Sequence, residues 1–466
     1  MSNGTRRENG RHYIGVDVGG TKIVAALVDG AGRVQLREKV STPRGGDPEE
    51  TLVAIEGAIA TVVKKAAPLG SEKAVRAIGI AIPGVVDPER GVIIVTPNMN
   101  LSGIDLRKRL KKQFDVPIAL GNDCNLGALG EKWLGAGRGA SSLVAILVGT
   151  GVGAGIVLGK RLWRGANGSA AEIGHTVMQI GGPMCGCGNS GCLEALCSRT
   201  AMERDIRQAI ADGEETIITD LLGGDVSVIR SGALRQALEQ KDQVVARIVE
   251  RAAVVLGHLC LTVRHMLDPE VIVLGGGVME ACSDYMLPTI QSIIADDQLV
   301  RTKDQDLILL SPLGDDAVLL GAVALALRQA GEDPFTTKRE KPLALPRVSL
   351  TAPGTITIGK KRFSRGILLR VDGKVRKWKN PIDSQPDAPG DQIGRTEVAR
   401  ACKGGPEVLY VGISEHEPLS LTKEARQYLT LRRIECAMGP TEKVIKAFNA
   451  SEKRKAGIFR LGPAGV

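Results

Sequence analysis

VDVGGTKIVAAL, residues 16–27, predicts a strand, a glycine turn and a second strand in direct succession. LVGTGVGAGIVL, residues 147–158, has the same order of strand, glycine turn and strand. The two stretches agree in pattern more than in residue identity. They indicate a weak internal duplication, in which each half contributes one glycine hairpin and a ligand is held in the cleft between two lobes.

Two further strands end in glycine and polar residues, which indicates a sheet with binding loops at one edge. Residues 77–82 form an apolar run before Pro83-Gly84, and residues 117–120 precede Gly121-Asn122-Asp123. Open α/β sheets bind ligands at the carboxyl ends of their strands, so these loops are expected to line a site. Helices are predicted at about 47–66, 125–134, 242–266 and 315–329.

The composition favours a soluble protein of two or three domains. Its 466 residues exceed one compact domain, and aromatic residues at 3% argue against a stacking platform for single-stranded nucleic acid. Nine mostly scattered cysteines do not form a disulfide framework, which favours a reducing compartment. No apolar signal-peptide region begins the chain, and the longest apolar run, residues 317–327, is shorter than the ~20 residues of a membrane span. We therefore expect a cytoplasmic protein that does not enter a membrane.

Positive charge is concentrated in the C-terminal part of the chain. The net charge is +9, yet residues 331–466 carry 26 Lys and Arg against 15 Asp and Glu, and the first 330 residues carry 35 against 37. Prolines interrupt residues 331–355, which we interpret as a linker. Residues 356–461 are predicted to form a small α+β domain. Any argument from charge to nucleic acid applies to this tail alone.

A cysteine-rich stretch, EIGHTVMQIGGPMCGCGNSGCLE at residues 172–194, has the composition of a zinc site. Three thiolates and one imidazole complete a tetrahedral ion, whereas a catalytic zinc keeps one position for water, so we predict a structural Zn²⁺. The alternative is three unrelated cysteines. Glu172 and Glu194 bracket the stretch, and the metal is expected to hold them rigidly toward something polar. The predicted ligands are His175, Cys185, Cys187 and Cys192.

The first glycine turn, Asp17-Val18-Gly19-Gly20-Thr21-Lys22, has the residue types that hold a nucleotide. Glycines let backbone N–H groups approach phosphate oxygens, Lys22 adds charge, and Asp17 is placed to orient Mg²⁺. Seen alone, the turn is equally well explained as a plain link between strands. A second hairpin at Gly149-Thr150-Gly151 supports the nucleotide. A third glycine run, Gly275-Gly276-Gly277, either approaches the base or ribose or is only a tight turn.

Asp123, at the end of a strand, is the candidate general base. Phosphoryl transfer to an alcohol needs a carboxylate that accepts the hydroxyl proton. The alternative is that Asp123 caps a surface helix. With Asn122, Glu172, His175 and Glu194, it would form a pocket for a polyhydroxyl ligand, a sugar.

Seven motifs carry a family resemblance. DVGGTK, IPGVVD, TPNMNLSG, ND, GTGVGAG, ExGH and CGCGNSGCLE, in this order, resemble the ROK family of bacterial sugar kinases, repressors and open reading frames, and its glucokinases most closely. The resemblance covers residues 12–330. It implies an actin-like ATPase (ribonuclease H-like) α/β fold with an N-lobe of about 12–122 and a C-lobe of about 123–330. It also implies phosphorylation of a hexose, with ATP, Mg²⁺ and structural Zn²⁺.

The resemblance assigns roles to individual residues, with Asp123 as the catalytic base. The residues that would contact the sugar are Gly84, Asn98, Asn122, Asp123, Glu172, His175 and Glu194. Those predicted to serve ATP and Mg²⁺ are Asp17, Gly19, Gly20, Thr21, Lys22, Thr150, Gly151, Gly275 and Gly276.

Some features depart from the family or lie outside it. Gly121 stands where many members have Glu, and TPNMNLSG replaces the PNL-x-GW of many glucokinases. These departures leave the exact sugar open, and an N-acetylhexosamine kinase is one alternative. A sugar-responsive regulator without turnover, which would recruit partners through the basic tail, is another. Residues 356–461 resemble the Mth938-like domains, which implies a fold and no settled activity. We expect a homodimer or tetramer that does not bind DNA.

Overall fold

The computed structural model describes most of the chain and divides it into two compact units. The first unit comprises residues 1–29 and 35–336, and the second comprises residues 30–34 and 337–466. No helix among the described residues is long and apolar enough to cross a bilayer. The described residues are 11–43, 45–67, 75–96, 99–299, 307–335, 345–352, 355–359, 361–364, 366–371, 373–377, 392–413 and 420–459.

The first half of the first unit is a five-stranded sheet with helices. Its order is β3-β2-β1-β4-β7, with β1 antiparallel to β2 and parallel to β4. Asp47 caps α1 by accepting from the Glu49 N–H at 2.8 Å, and Pro48 begins the helix, which confirms the predicted start. The elements are β1 (His12–Val18), β2 (Lys22–Asp29), β3 (Val34–Ser41), α1 (Pro48–Ala66), β4 (Val75–Ile82), β5 (Val85–Asp87), β6 (Val92–Val95), α2 (Leu106–Leu110) and β7 (Ile118–Asn122).

The second half repeats this topology. Its sheet has the order β10-β9-β8-β11-β12, with β8 antiparallel to β9 and parallel to β11. The predicted duplication is therefore confirmed, whereas the helices between residues 193 and 239 were not predicted. The elements are α3 (Asp123–Leu134), β8 (Leu143–Val148), β9 (Val152–Leu158), β10 (Arg161–Trp163), α4 (Leu193–Cys197), α5 (Arg199–Ala211), α6 (Ile218–Leu221), α7 (Ser231–Glu239), α8 (Gln243–Leu267), β11 (Val271–Gly275), α9 (Gly277–Ala295), β12 (Ile308–Leu310) and α10 (Ala317–Gln329).

Helix α10, the last helix of the first unit, packs on the first sheet. It follows the second sheet in sequence but packs on the first, where a Cβ on Gly79 would lie 1.8 Å from the Ala322 carbonyl oxygen. It also crosses α3 closely, since a Cβ on Gly321 would lie 1.6 Å from the Leu126 carbonyl oxygen. Helix α10 therefore contacts both the first sheet and α3, and the predicted lobe bounds of about 12–122 and 123–330 stay predictions.

The second unit is a mixed α+β unit, as predicted. Its largest sheet has the order β17-β16-β22-β19-β21. Strand β13 lies inside the segment predicted as a linker, so that segment is not wholly irregular. The elements are β13 (Val348–Ala352), β14 (Thr355–Ile358), β15 (Lys361–Phe363), β16 (Ile367–Leu369), β17 (Val375–Lys377), β18 (Gln392–Ile393), α11 (Arg395–Ala401), β19 (Val408–Ile413), β20 (Ser420–Leu421), α12 (Lys423–Thr430), β21 (Glu435–Pro440), α13 (Thr441–Ala450) and β22 (Lys455–Phe459).

Candidate active site

Asn122 joins two strand ends at the carboxyl edge of the first sheet. Its Oδ1 caps α3 by accepting from the Asn125 N–H at 2.9 Å. Its Nδ2 donates to the Gly84 carbonyl at 2.9 Å and to Asp123 Oδ1 at 3.1 Å. Gly84 has a φ of +95°, a conformation that glycine adopts without strain. The predicted meeting of these two loops is confirmed, and a contact between Asn122 and a sugar stays a prediction.

Asp123 is the first residue of α3, and Asn122, not Asp123, is its cap. The structure therefore excludes the alternative that Asp123 serves as the helix cap. Burial raises the pKa of the Asp123 carboxyl, the Cys124 N–H opposes this from 2.8 Å, and the charge of Glu172 raises it further. A carboxyl group with a raised pKa at a strand end has the properties of a general base.

Asp17 lies near the end of β1, within electrostatic reach of Asp123. Burial raises the pKa of Asp17 to about 7, the charge of Asp123 raises it too, and Lys22 lowers it. A carboxyl group whose pKa is raised by a neighbouring carboxylate lies in uncompensated negative charge, and oxygen donors of this kind fit Mg²⁺.

The first glycine hairpin is held by backbone contacts and by one ion pair. The Gly19 N–H donates to the Lys22 carbonyl at 2.9 Å, and the Thr42 hydroxyl donates to the Gly19 carbonyl at 2.5 Å. Lys22 Nζ lies 3.6 Å from a carboxylate oxygen of Asp315, just before α10. The predicted phosphate contacts of Gly19, Gly20, Thr21 and Lys22 stay predictions.

The second hairpin is fastened by a segment that sequence reasoning did not associate with it. The Val152 N–H donates to Glu194 Oε2 at 2.9 Å. The Arg199 N–H donates to the Gly149 carbonyl at 2.9 Å, and an Arg199 guanidinium N–H donates to Thr150 Oγ1 at 2.8 Å. Ser198, which caps α5, was a local signal that a helix begins there. Glu194, predicted as a sugar ligand, thus holds the hairpin through one of its oxygens.

The third glycine run is a tight turn between β11 and α9. Gly276 has a φ of +87°, and a Cβ there would lie 2.5 Å from the Val148 carbonyl oxygen. A Cβ on Gly275 would lie 3.0 Å from Leu147 and Ser311 side-chain atoms. Close packing on β8 therefore accounts for both glycines, and their contact with a nucleotide stays a prediction.

The four predicted zinc ligands converge. Their donor atoms all lie within 4.8 Å of one another. Cys185 Sγ lies 3.6 Å from His175 Nδ1, and Cys187 Sγ lies 3.7 Å from Cys192 Sγ. A tetrahedral Zn²⁺ with Zn–S of about 2.3 Å and Zn–N of about 2.0 Å has donor separations of about 3.5–3.8 Å. The donor set and its spacing therefore fit a structural zinc.

The ligand cluster is joined to the second hairpin. A Cβ on Gly174 would lie 2.0 Å from the Val152 carbonyl oxygen, so the short 3₁₀ turn Ile173–His175 packs directly on the start of β9. Because His175 Nδ1 faces Cys185, Nε2 is the nitrogen left for a ligand. Asn98, predicted as a sugar ligand, lies outside the described residues.

Comparisons with known proteins identify relatives over the first unit. The family model described as "ROK family" matches residues 13–329. A glucokinase of Halalkalibacterium halodurans is 33% identical over 68% of this chain and 96% of its own length. A xylose repressor of Caldicellulosiruptor bescii is 30% identical over 67% of this chain and 77% of its own length. A ROK family glucokinase from Streptomyces griseus, solved with glucose and AMPPNP, has a TM-score of 0.60 and 33% identity, covering 68% of this chain and 99% of that one.

Proposed function

The chain belongs to the ROK family and is a sugar kinase, and we propose that it transfers the γ-phosphoryl group of ATP to O6 of a hexose, glucose first among the candidates. The position of Asp123 carries this proposal. Its partly buried carboxyl directly follows a strand, its pKa is raised, and Asp17 and Glu172 lie within electrostatic reach. The glucokinase relatives support glucose as the acceptor.

Asp123 would accept the proton of the attacking hydroxyl. The Cys124 N–H and Asn122 Nδ2 both donate to Oδ1, at 2.8 and 3.1 Å, and hold the carboxyl group in one orientation. We therefore assign proton acceptance to Oδ2. The raised pKa makes this carboxylate a stronger base than an exposed aspartate.

The two hairpins would hold the nucleotide from opposite lobes. Gly19, Gly20 and the Thr21 hydroxyl would face its phosphates from one side, and Thr150 with Gly151 from the other. Asp17 would hold Mg²⁺, which neutralises phosphate charge when bound. The Lys22–Asp315 ion pair holds the first hairpin near the start of α10.

The zinc cluster would form the other wall of the sugar pocket. His175, Cys185, Cys187 and Cys192 would hold the ion, which supplies rigidity and no open coordination position. Glu172 and His175 Nε2 would then face the sugar from a fixed loop. The support is the charge of Glu172 acting on Asp123.

Asp123→Asn tests the proposal. The variant keeps the size and polarity of the side chain but removes the base, so we expect kcat to fall by about 10²–10⁴. Sugar affinity by calorimetry and the melting temperature should change little. Near-normal turnover would contradict the role of Asp123.

A panel of sugars identifies the acceptor. Glucose, mannose, N-acetylmannosamine and N-acetylglucosamine belong in it, because the predicted pocket residues would contact ring hydroxyls of all four. ATP and polyphosphate should be compared as donors in the same assay. Sugar binding without any ADP would instead favour a regulator, the role named for the xylose repressor relative.

We also propose that residues 356–461 are a Mth938-like domain and that the protein is a homodimer or tetramer. The α+β content of the second unit is consistent with the first proposal. Sedimentation equilibrium tests the second.

A further inference from the structure

We propose that Arg199 is a positioning residue that makes the Thr150 hydroxyl a hydrogen-bond donor to a phosphoryl oxygen of the bound nucleotide. The inference rests on the proposed function and names a residue that neither the motifs nor the comparisons single out. Its basis is the contact between the start of α5 and the tip of the second hairpin.

The start of α5 is built onto the hairpin backbone. The N–H groups of Arg199 and Thr200 donate to the carbonyls of Gly149 and Thr150, at 2.9 and 3.3 Å. The Thr200 hydroxyl also donates to the Thr150 carbonyl, at 2.8 Å. The first N–H groups of a helix have no partner within it, and here the hairpin supplies them. The hairpin and α5 are therefore fixed relative to each other.

The Arg199 guanidinium is held on both sides. One terminal nitrogen pairs with Glu203 one turn later and donates to the Ile229 carbonyl at 3.4 Å. The other donates to Thr150 Oγ1 at 2.8 Å. The Arg199 side chain is 19% exposed and that of Glu203 is 8% exposed, so solvent competes little with these bonds. Arg207 pairs with the same Glu203 from the next turn, at 2.9 Å.

This contact decides what the Thr150 hydroxyl can do. A guanidinium has donors only, so Oγ1 must accept from it. A hydroxyl has one hydrogen to donate. Because Oγ1 already accepts from Arg199, this hydrogen can be donated to a bound ligand. Thr150 is exposed at the tip of the hairpin, where the phosphates are proposed to lie. Donation from Arg199 also polarises the O–H bond and strengthens its donation to an anion.

The alternative is that Arg199 only stabilises α5 through its ion pair with Glu203. The two roles predict different results, because a helix-stabilising pair should affect the melting temperature and not the nucleotide. Arg207 provides a matched control, since it binds the same carboxylate from the same helix. No contact joins Arg207 to the hairpin among the described residues.

The experiment is a double-mutant cycle in the full-length protein. Arg199→Gln and Thr150→Val should each raise the KM for ATP and the Kd for AMPPNP about tenfold, the usual cost of a hydrogen bond to a charged group. The double variant should bind no more weakly than Thr150→Val alone, because Arg199 has no hydroxyl to orient once Thr150 is replaced. Thr150→Ser, which keeps the hydroxyl, should behave like the wild type, and the sugar KM should stay constant throughout.

Three outcomes would overturn the inference. Arg199→Gln could match Arg207→Gln, with a lower melting temperature and unchanged nucleotide binding. The effects of Arg199→Gln and Thr150→Val could multiply in the double variant, which would mean that Arg199 does not act through Thr150. Thr150→Ser could be as impaired as Thr150→Val. Failure of the proposed function is separate: a wild type that binds AMPPNP but phosphorylates no sugar still allows the cycle to be read from Kd values.

Discussion

Gly321→Ala tests the close crossing of α3 and α10 in the first unit. A Cβ at residue 321 would lie 1.6 Å from the Leu126 carbonyl oxygen, whereas real Cβ contacts are essentially never under 3.0 Å. The two helices would have to separate by about 1.4 Å, the difference between these distances. A gap of 0.5–1 Å already forfeits about a quarter to a half of a van der Waals contact, so the variant would lose most of this interface.

Two opposing effects determine how much Gly321→Ala changes the free energy of unfolding. Alanine is favoured over glycine inside a helix by about 1 kcal/mol. The clash is with backbone, which cannot rotate away, so we expect it to exceed this gain and to destabilise the first unit by about 4 kcal/mol or more. The folded variant should also have a lower kcat than the wild type, because α3 carries Asp123 and a displaced α3 would move this base away from the substrate.

Gly57→Ala is the matched control. Gly57 is an exposed residue of α1, and a Cβ there would meet nothing within 4 Å. This variant should gain up to about 1 kcal/mol, from helix propensity alone. Urea unfolding followed by circular dichroism measures both variants, and kcat is measured on the same samples. A Gly321→Ala variant as stable as Gly57→Ala would contradict the close packing of α10 on α3.

Two further predictions concern the site. The pKa of Asp17 is raised from 3.8 to about 7, so the free energy of unfolding of the Mg²⁺-free protein should fall as pH rises between these values. At pH 8, Asp17→Asn should be more stable than the wild type by up to about 4 kcal/mol. At pH 3.5, this gain should be absent. Asp225→Asn is the control: hydrogen bonds from Ser227 lower the pKa of the Asp225 carboxyl, so this variant should gain no stability at pH 8. An Asp17→Asn variant with the same effect on stability at both pH values would contradict a raised pKa at Asp17. Cys187→Ser should lose zinc, measured by atomic absorption, and raise the sugar KM together, whereas Cys436→Ser should do neither. Zinc loss with unchanged sugar KM would show that the cluster does not brace the pocket.

Features that depend on neighbouring residues could be predicted from the sequence. The glycine hairpins, each a strand, a turn and a strand, span 18 and 16 residues, and their pattern is visible without the rest of the fold. The four zinc ligands lie within 18 residues, from His175 to Cys192, so a tight loop brings them together. Asp123 was identifiable because it follows a buried strand directly.

Features that depend on which elements pack together could not be predicted. The sequence shows that α10 is apolar on all sides and therefore buried, but it does not show that the helix packs on the first sheet rather than the second. In the sequence, Gly79 and Gly321 are simply residues that disfavour a strand and a helix. The structure explains them, because a Cβ at either position would lie 1.8 or 1.6 Å from a carbonyl oxygen of another element. The bond between Arg199 and Thr150 joins residues 49 positions apart. Local sequence specifies backbone conformation and chemical type, whereas partners at this separation are chosen when buried faces and unpaired polar groups are matched across the whole unit.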